Sequence, residues 1–307
     1  MNPTLHQLRI LATVANAGGV TRAAEQLHLT QPTISIQLRQ LAATIGQPLF
    51  ERDGRRLLLT EAGHEVLLSA RGIDSELAHL RSRLAARRGI HEGRLNVAVV
   101  STAEYFMPRL VGQFQRAHPG IVISLQVLNR ADVLKRVAEQ LDDAYLMTRP
   151  PDDVALRAEP VGKNPLVVIG RPDHPWVRRR RIPARDLAKE PFVAREVGSG
   201  TRLWTDDWFR GHGIVTQARL ELGSNEAVKQ AVRGGFGLAV LSAHTLLLEW
   251  EHRLIVPLQV SGFPLPSRWH FVTRAGRALS PVAEAFRRYL KRDAMPEVVR
   301  SVEAVVG

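Results

Sequence analysis

Six apolar residues between Val66 and Leu84 recur at spacings of 4, 3, 4, 3 and 4. Val66, Ala70, Ile73, Leu77, Leu80 and Leu84 therefore make a heptad seam, on one long helix predicted from Thr60 to about Arg88. Glu65, Arg71, Glu76, Arg81 and Arg83 flank the seam. One side of a core helix would carry a similar stripe, but the remaining faces are polar. A helix that pairs with a second copy fits better. It parts the 307 residues into a short N-terminal segment and a long C-terminal one, and that length suits two or three domains.

The N-terminal segment reads as short helices with tight turns. Leu5, Leu8, Ile10, Leu11 and Val14 have helical spacing, and Asn16-Ala17-Gly18-Gly19 stops that helix. Thr21 is positioned to cap a second helix, with Glu25 in its first turn. Leu27–Thr30 is a turn. A third helix starts at Thr30, tolerates Pro32 in its first turn and ends at Gly46. Ala23 and Ala24 let the third helix approach the second, as in a helix-turn-helix. Ile34, Leu38, Leu41 and Ile45 share the predicted core face. Gln31, Pro32, Thr33, Ser35, Ile36, Gln37 and Arg39 then face outward. Gln can pair with adenine, while Thr33 and Ile36 can touch thymine methyls. Thr21 and Arg22 at the start of the second helix join this set. Two apolar-rich arms around Asp53-Gly54 predict a hairpin wing, with Arg52, Arg55 and Arg56 against phosphates. A helix of about 27 residues spans roughly 40 Å. A dimer built on it can hold two recognition helices one DNA turn, ~34 Å, apart.

After the linker 87–93, strand and helix patterns alternate. Strands are predicted at Leu95–Val100, Val122–Leu128, Ala144–Met147, Val167–Gly170, Phe192–Arg195, Arg219–Leu222 and Gly237–Leu241. Helices are predicted at Thr102–Ala117, Ala131–Gln140, Thr201–His212 and Asn225–Arg233. The expectation is a largely parallel α/β sheet in two lobes, with sites at strand ends. Cysteine is absent, which excludes disulfides, thiolate zinc sites and cysteine catalysis. The formal charge of +12 suggests a polyanionic partner. No export signal or membrane-spanning run is recognised, so a cytoplasmic protein is expected.

Phe50-Glu51-Arg52, Leu59-Thr60-Glu61-Ala62-Gly63 and the run Ala23–Ser35 resemble the LysR-type transcriptional regulators. The resemblance covers essentially the whole chain. It implies an α/β protein with an N-terminal winged helix-turn-helix (1–59), a linker helix and hinge (60–92), and a two-lobed effector domain like periplasmic binding proteins (93–307). Lobe I is placed at about 93–162 plus 268–307, and lobe II at about 163–267. Dimers formed through the linker helix, pairing into tetramers on an interrupted palindrome of double-stranded DNA, are also implied. Ile36 stands where many members carry Arg, so readout there should be more apolar.

Hydroxyl, amide and guanidinium groups gather at the predicted strand ends and helix starts. They are Ser101 and Thr102, Asn129 and Arg130, Thr148 and Arg149, Arg195 and Glu196, Ser199 through Arg202 (with Gly200 and Thr201), and Ser224, Asn225 and Glu226. Free N–H groups at helix starts attract anions, and Arg adds bidentate cations. An anionic effector carrying phosphate is the expectation. Ser101–Pro108, Met147–Pro151, Arg195–Arg202 and Leu222–Glu226 with Lys229–Val232 are similar to the CbbR branch, which activates Calvin-cycle CO2-fixation operons. That resemblance implies a phosphorylated metabolite or NADPH as effector and no catalytic cofactor. Thr148 replaces a Gly expected in that branch, which leaves the ligand open. A regulator of another pathway sensing a non-phosphorylated carboxylic acid is the alternative.

An enzyme lacks its parts here. There is no His-Glu-x-x-His, Gly-x-Ser-x-Gly or Walker loop, so no catalytic or metal residue is assigned. Asp142-Asp143 and Asp152-Asp153 read as caps or solvated pairs. A solute-binding protein would suit the C-terminal half but not the DNA-binding front. The Arg178–Arg181 run reads as a solvated loop, and Trp204, Trp208 and Phe209 as core.

Overall fold

The computed structural model describes residues 2–54, 56–87, 92–152, 156–276 and 278–306. The chain divides into two compact units near residue 84.

In the first unit, α1 (Leu5–Ala17) starts in a capping box. Thr4 Oγ1 accepts from the Gln7 amide, and Gln7 Oε1 accepts from the Thr4 amide. Gly18, left-handed at φ 68°, closes it. The second helix, α2 (Val20–Leu27), begins earlier than the Thr21 cap expected from sequence. Gly19 is its cap residue, and Thr21 lies inside the first turn. Ala23 and Ala24 are buried, so α3 (Gln31–Ile45) packs close against α2. The Thr30 hydroxyl caps α3, and Gly46 ends it as expected. Ile34 and Leu41 are fully buried and Leu38 packs beside them. Ile45, expected in the core, is 37% exposed: it is the last residue of α3, beyond Leu41 and Ala42, which still pack in the core.

The hairpin pairs β1 (Phe50–Asp53) with β2 (Arg56–Leu59), with Phe50 opposite Leu59. Its turn uses Gly54 at φ 59°, a backbone that favours glycine. α4 (Glu61–Arg87) follows, with the Thr60 hydroxyl accepting from the Gly63 amide at 3.0 Å. Gly63 is where α4 meets the hairpin base, since an added Cβ would lie 2.0 Å from the Leu49 carbonyl oxygen. The heptad seam is used in two ways. Val66 and Ala70 pack into the unit's own core, whereas Ile73, Leu80 and Leu84 are 39%, 45% and 50% exposed.

The second unit starts with β3 (Gly93–Val100), then a 3-10 turn (Ser101–Tyr105) and α5 (Met107–Ala117). The helix expected from Thr102 thus begins later, at the Met107-Pro108 start. Next come β4 (Ile121–Leu128), α6 (Arg130–Ala138), β5 (Ala144–Thr148) and β6 (Leu156–Gly170). Then follow β7 (Pro191–Arg195), α7 (Gly200–Gly211), β8 (Gln217–Leu222), α8 (Asn225–Arg233), β9 (Ala239–Ser242), α9 (Leu247–Glu251), β10 (Val256–Leu258) and β11 (Leu265–Arg274). α10 (Pro281–Tyr289), α11 (Met295–Ser301) and α12 (Glu303–Val306) complete the unit.

The main sheet runs β10-β6-β11-β5-β3-β4, with β9 also on β6, and β7 pairs with β8 separately. The sheet is mixed rather than largely parallel. β3 is parallel to β4 and β5, but β11 is antiparallel to β5 and β6. β6 has 15 residues where only Val167–Gly170 reads as strand, because Pro160 and Pro165 argue against the rest. β6 and β11 serve two cores. Leu95, Leu110, Phe114, Tyr145, Trp269 and Phe286 fill the first, on β3, β5, α5 and α10. Leu166, Val168, Trp176, Phe192, Phe209 and Leu238 fill a second, beside a third around Val167, Val193, Val228 and Leu241. These are lobe I and lobe II. Val302 and Val305, near the C-terminus, pack with the third cluster.

His244 sits where the lobes join, its ring centroid 5.6 Å from Phe106 and 5.9 Å from Trp269. Burial pushes its pKa down to about 4, although a bond to the Lys163 carbonyl opposes this. A histidine depressed on folding takes up its proton more readily when unfolded. Its contribution is therefore present above pH ~6.5 and is lost as pH falls toward about 4. The expected loss is on the order of 3 kcal/mol, read by urea unfolding across that range. A flat profile, or one that His244→Phe leaves unchanged, would contradict it. In the first unit, Gly63→Ala should lower unfolding stability by roughly 1–3 kcal/mol, since backbone must move to admit the methyl. An unchanged urea midpoint would show the contact to be slack.

Candidate functional site

Gln31, Pro32, Ile36 and Arg39 of α3 are exposed, and Thr33, Ser35 and Gln37 are half-buried on the same helix. Ile36 is 44% exposed, unusual for an isoleucine next to a well-packed core. Arg39 Nε donates to the Ser35 carbonyl. Thr21 and Arg22 on α2 and Arg52 and Arg56 on the hairpin are also exposed. Arg55 lies outside the described residues. Among the described residues none of Arg22, Arg39, Arg52 and Arg56 has an acidic partner, so their charges are available to phosphates.

In the second unit the 3-10 turn, the end of β5, and the starts of α6, α7 and α8 converge from the two lobes. Arg195, at the end of β7, lies at their centre with its side chain 2% exposed. Its Nε donates to Glu196 Oε2 at 2.7 Å and its Nη2 to Glu196 Oε1 at 2.9 Å. Nη1 donates to Asn225 Oδ1, and Nη2 reaches Ser101 Oγ of lobe I at 3.3 Å. Gly200 lies against lobe I too, since an added Cβ would be 3.0 Å from Thr148 Oγ1. Asn129 caps α6 through the Asp132 amide, and Ser224 caps α8 through the Ala227 amide.

Several polar groups in this region have no protein partner among the described residues. Thr102, Thr148, Ser199 and Thr201 are 7%, 5%, 3% and 6% exposed, and their hydroxyls bond to nothing among the described residues. The Nδ2 of Asn225, a residue 1% exposed, is likewise unpaired. Of these, only the Asn225 Nδ2 is a fully buried atom, and such atoms are rarely left unpaired; the four hydroxyls keep access to the cleft. The hydroxyls come from both lobes, and those of Ser199 and Thr201 flank the start of α7, where free amides favour an anion.

The arginines behave differently from expectation. Arg202 is engaged by Asp206 at 2.7 Å and Glu221 at 3.1 Å, and donates to the Arg195 carbonyl. Those bonds hold its pKa above the ordinary arginine value despite burial. Arg149, left-handed at φ 52°, pairs with Asp207 of α7 and lies 5.5 Å over the Trp204 ring. Arg130 donates twice to the Arg149 carbonyl. Two of these cations, Arg149 and Arg202, are thus already neutralised: Asp206 is the i,i+4 neighbour of Arg202 on α7, whereas Asp207 and Glu221 reach their arginines only through the fold.

Tyr105 and Lys229 were missed. Lys229, its side chain 3% exposed, pairs with Glu226 at 2.6 Å and Glu249 at 2.7 Å, and donates to the Thr245 carbonyl. It also lies 4.9 Å over the Tyr105 ring, while the Tyr105 hydroxyl donates to Glu226 at 2.8 Å. This links the 3-10 turn of lobe I to α8 and α9 of lobe II. Burial, then the Glu226 hydrogen bond, pushes the Tyr105 hydroxyl far above its usual range. Burial alone would raise Glu226, but hydrogen bonds from Lys229 and Tyr105 hold it below the usual carboxylate value. A signal existed: Asn225, Val228, Lys229 and Val232 form one helical stripe, and two of the four are polar.

The Arg178–Arg181 run is exposed, on a loop pinned by buried Trp176 and Ile182. Phe209 is buried, and Trp204 and Trp208 pack beside the lobe II core. Asp142 pairs with Arg136 and Asp143 accepts from the Asn96 amide, which makes both structural. Among the described residues no three metal-ligating side chains cluster, and no helix is long and apolar enough to cross a membrane.

Residues 5–64 match the bacterial regulatory helix-turn-helix protein model of the lysR family, and residues 88–295 match the LysR substrate binding domain. The chain belongs to the LysR family of bacterial transcriptional regulators and is not an enzyme. It is 45% identical to a RuBisCO operon transcriptional regulator of Acidithiobacillus ferrooxidans, covering 94% of this chain and 93% of that one. It is 43% identical to the HTH-type transcriptional activator CmpR of Synechocystis, over 94% and 95% of the two chains. Among solved structures it resembles the CcmR regulatory domain of Synechocystis in complex with 2-PG (2-phosphoglycolate). That match has a TM-score of 0.64 and 43% identity, and covers 66% of this chain and 98% of that one.

Proposed function

We propose that this chain regulates carbon-fixation genes and that a small phosphorylated acid, bound between lobes I and II, switches its DNA-binding geometry. Residues 1–59 read the DNA, 60–92 join two copies through the open half of the heptad seam, and 93–307 sense the effector. Pairing of dimers into tetramers on an interrupted palindrome follows the family's architecture, and the protein acts in the cytoplasm, where its DNA is. The observation that carries the reading is the buried, unpaired Asn225 amide of lobe II, together with hydroxyls from both lobes that bond to no protein group among the described residues. A phosphate has several acceptor oxygens and suits such a set of donors. The RuBisCO operon regulator and the 2-PG-bound domain among its relatives point the same way. NADPH is a far larger ligand, and the close approach of Gly200 to Thr148 favours a small acid.

A ligand that bridges the lobes stabilises one inter-lobe angle only through its different affinity for the two arrangements. Thr102→Val and Thr201→Val remove one donor each with little change of shape. Each should weaken 2-phosphoglycolate binding about tenfold, or about 1.4 kcal/mol, in a thermal-shift titration of the full-length protein. Operator affinity without effector should be unchanged. Full binding in both variants would move the site elsewhere. If wild type responds only to non-phosphorylated carboxylic acids, the family stands and the carbon-fixation reading falls. Arg39→Ala should weaken operator binding at least tenfold and leave 2-phosphoglycolate affinity unaltered, as read by fluorescence anisotropy and calorimetry. Equal loss of both would contradict the division of labour.

A further inference from the structure

The Arg195 guanidinium has the shape to clamp a carboxylate or phosphate with two parallel bonds. In the structure that fork is held by the next residue, since Glu196 Oε2 and Oε1 accept from Nε and Nη2 at 2.7 and 2.9 Å. The two partners differ in freedom. Arg195 is fixed on its other side by Asn225 and Ser101, and its side chain is 2% exposed. The Glu196 side chain is 18% exposed, and its backbone is held by bonds of its own to Leu222 and from Ser199. The carboxylate can therefore rotate out toward solvent while the backbone stays in place.

Resting on the function proposed above, we infer that Glu196 is a tethered competitor for the anionic group of the effector, and that it sets the charge the effector must carry. A carboxylate attached one residue away is present at high effective concentration. A monoanionic acid that displaced it would exchange one carboxylate for another and gain nothing at the fork. A dianionic phosphate brings a second negative charge to a buried cation, and it has oxygens left for the unpaired amide of Asn225, which is bonded to the same guanidinium. Glu196 thereby discriminates phosphorylated acids from their unphosphorylated counterparts without touching either one. The neighbouring Arg149–Asp207 and Arg202–Asp206–Glu221 pairs offer no substitute fork.

The test compares full-length wild type with Glu196→Gln, which keeps the shape and one hydrogen bond but removes the charge. Each is titrated by calorimetry, at fixed ionic strength, with 2-phosphoglycolate, glycolate and inorganic phosphate. The variant should bind 2-phosphoglycolate at least tenfold more tightly and should gain measurable binding of glycolate and phosphate. Without anion its melting temperature should drop, because Arg195 loses its counter-charge, and phosphate should restore it. A structural role alone would lower the melting temperature and give no gain in anion binding, and that result overturns the inference. Glu196→Ser reads the same way if the glutamine variant does not fold. If wild type fails to bind 2-phosphoglycolate, the proposed effector class is wrong, yet phosphate and glycolate still report on the fork. Binding of these by the variant alone upholds the role of Glu196, and binding by neither protein overturns it.

Discussion

A guanidinium buried between two lobes has to be neutralised and fully hydrogen-bonded, and Arg195 organises its surroundings on that requirement. Glu196 supplies the charge, Asn225 positions the start of α8, and Ser101 brings in the 3-10 turn of lobe I. The consequence is a cleft in which both lobes are registered to one cation. Removing any partner leaves a buried charge short of bonds, so the local geometry is over-determined. This is what a sensor needs, because small shifts at the ligand can then be felt by both lobes.

The other contacts between the lobes reinforce that registration at the margins of the cleft. Tyr105 is on the same 3-10 turn as Ser101 and Thr102, and it answers to Glu226 and Lys229 on α8. Arg149, held in a left-handed conformation at the end of β5, pairs with Asp207 on α7. Behind the cleft, β6 and β11 run from one core into the other and give the lobes a common backbone. A ligand between the lobes acts on elements that are already coupled. In the first unit the heptad seam is divided: Val66 and Ala70 complete the winged domain, and Ile73, Leu80 and Leu84 stay exposed.

Local signals carried the N-terminal unit. Thr30, Gly18, Gly46 and the Asp53-Gly54 turn act within a few residues of themselves, so caps and hairpin were readable, and only the Gly18-Gly19 turn moved a helix start. The strands β6 and β11 were partly or wholly hidden, because Pro160, Pro165 and Pro266 interrupt their pattern and their pairing partners are about a hundred residues apart. The polar residues of the cleft could be named from strand ends and helix starts. Most of their pairing could not: the i,i+4 contact of Arg202 with Asp206 is local, but Asp207 and Glu221 meet the arginines only through the fold. Tyr105 and Lys229 were missed for the same reason, although the polar interruptions on the buried stripe of α8 marked the place.

The central claim is that one anion is held by both lobes around Arg195. Hydrogen–deuterium exchange of the full-length protein, with and without saturating 2-phosphoglycolate, addresses it most directly. The account predicts slowed exchange in three separate segments, around 101–105, 196–203 and 224–230, which come from both lobes. Protection confined to one lobe would contradict it. So would protection centred on the groove of about 500 Å³ between Leu265 and Val302.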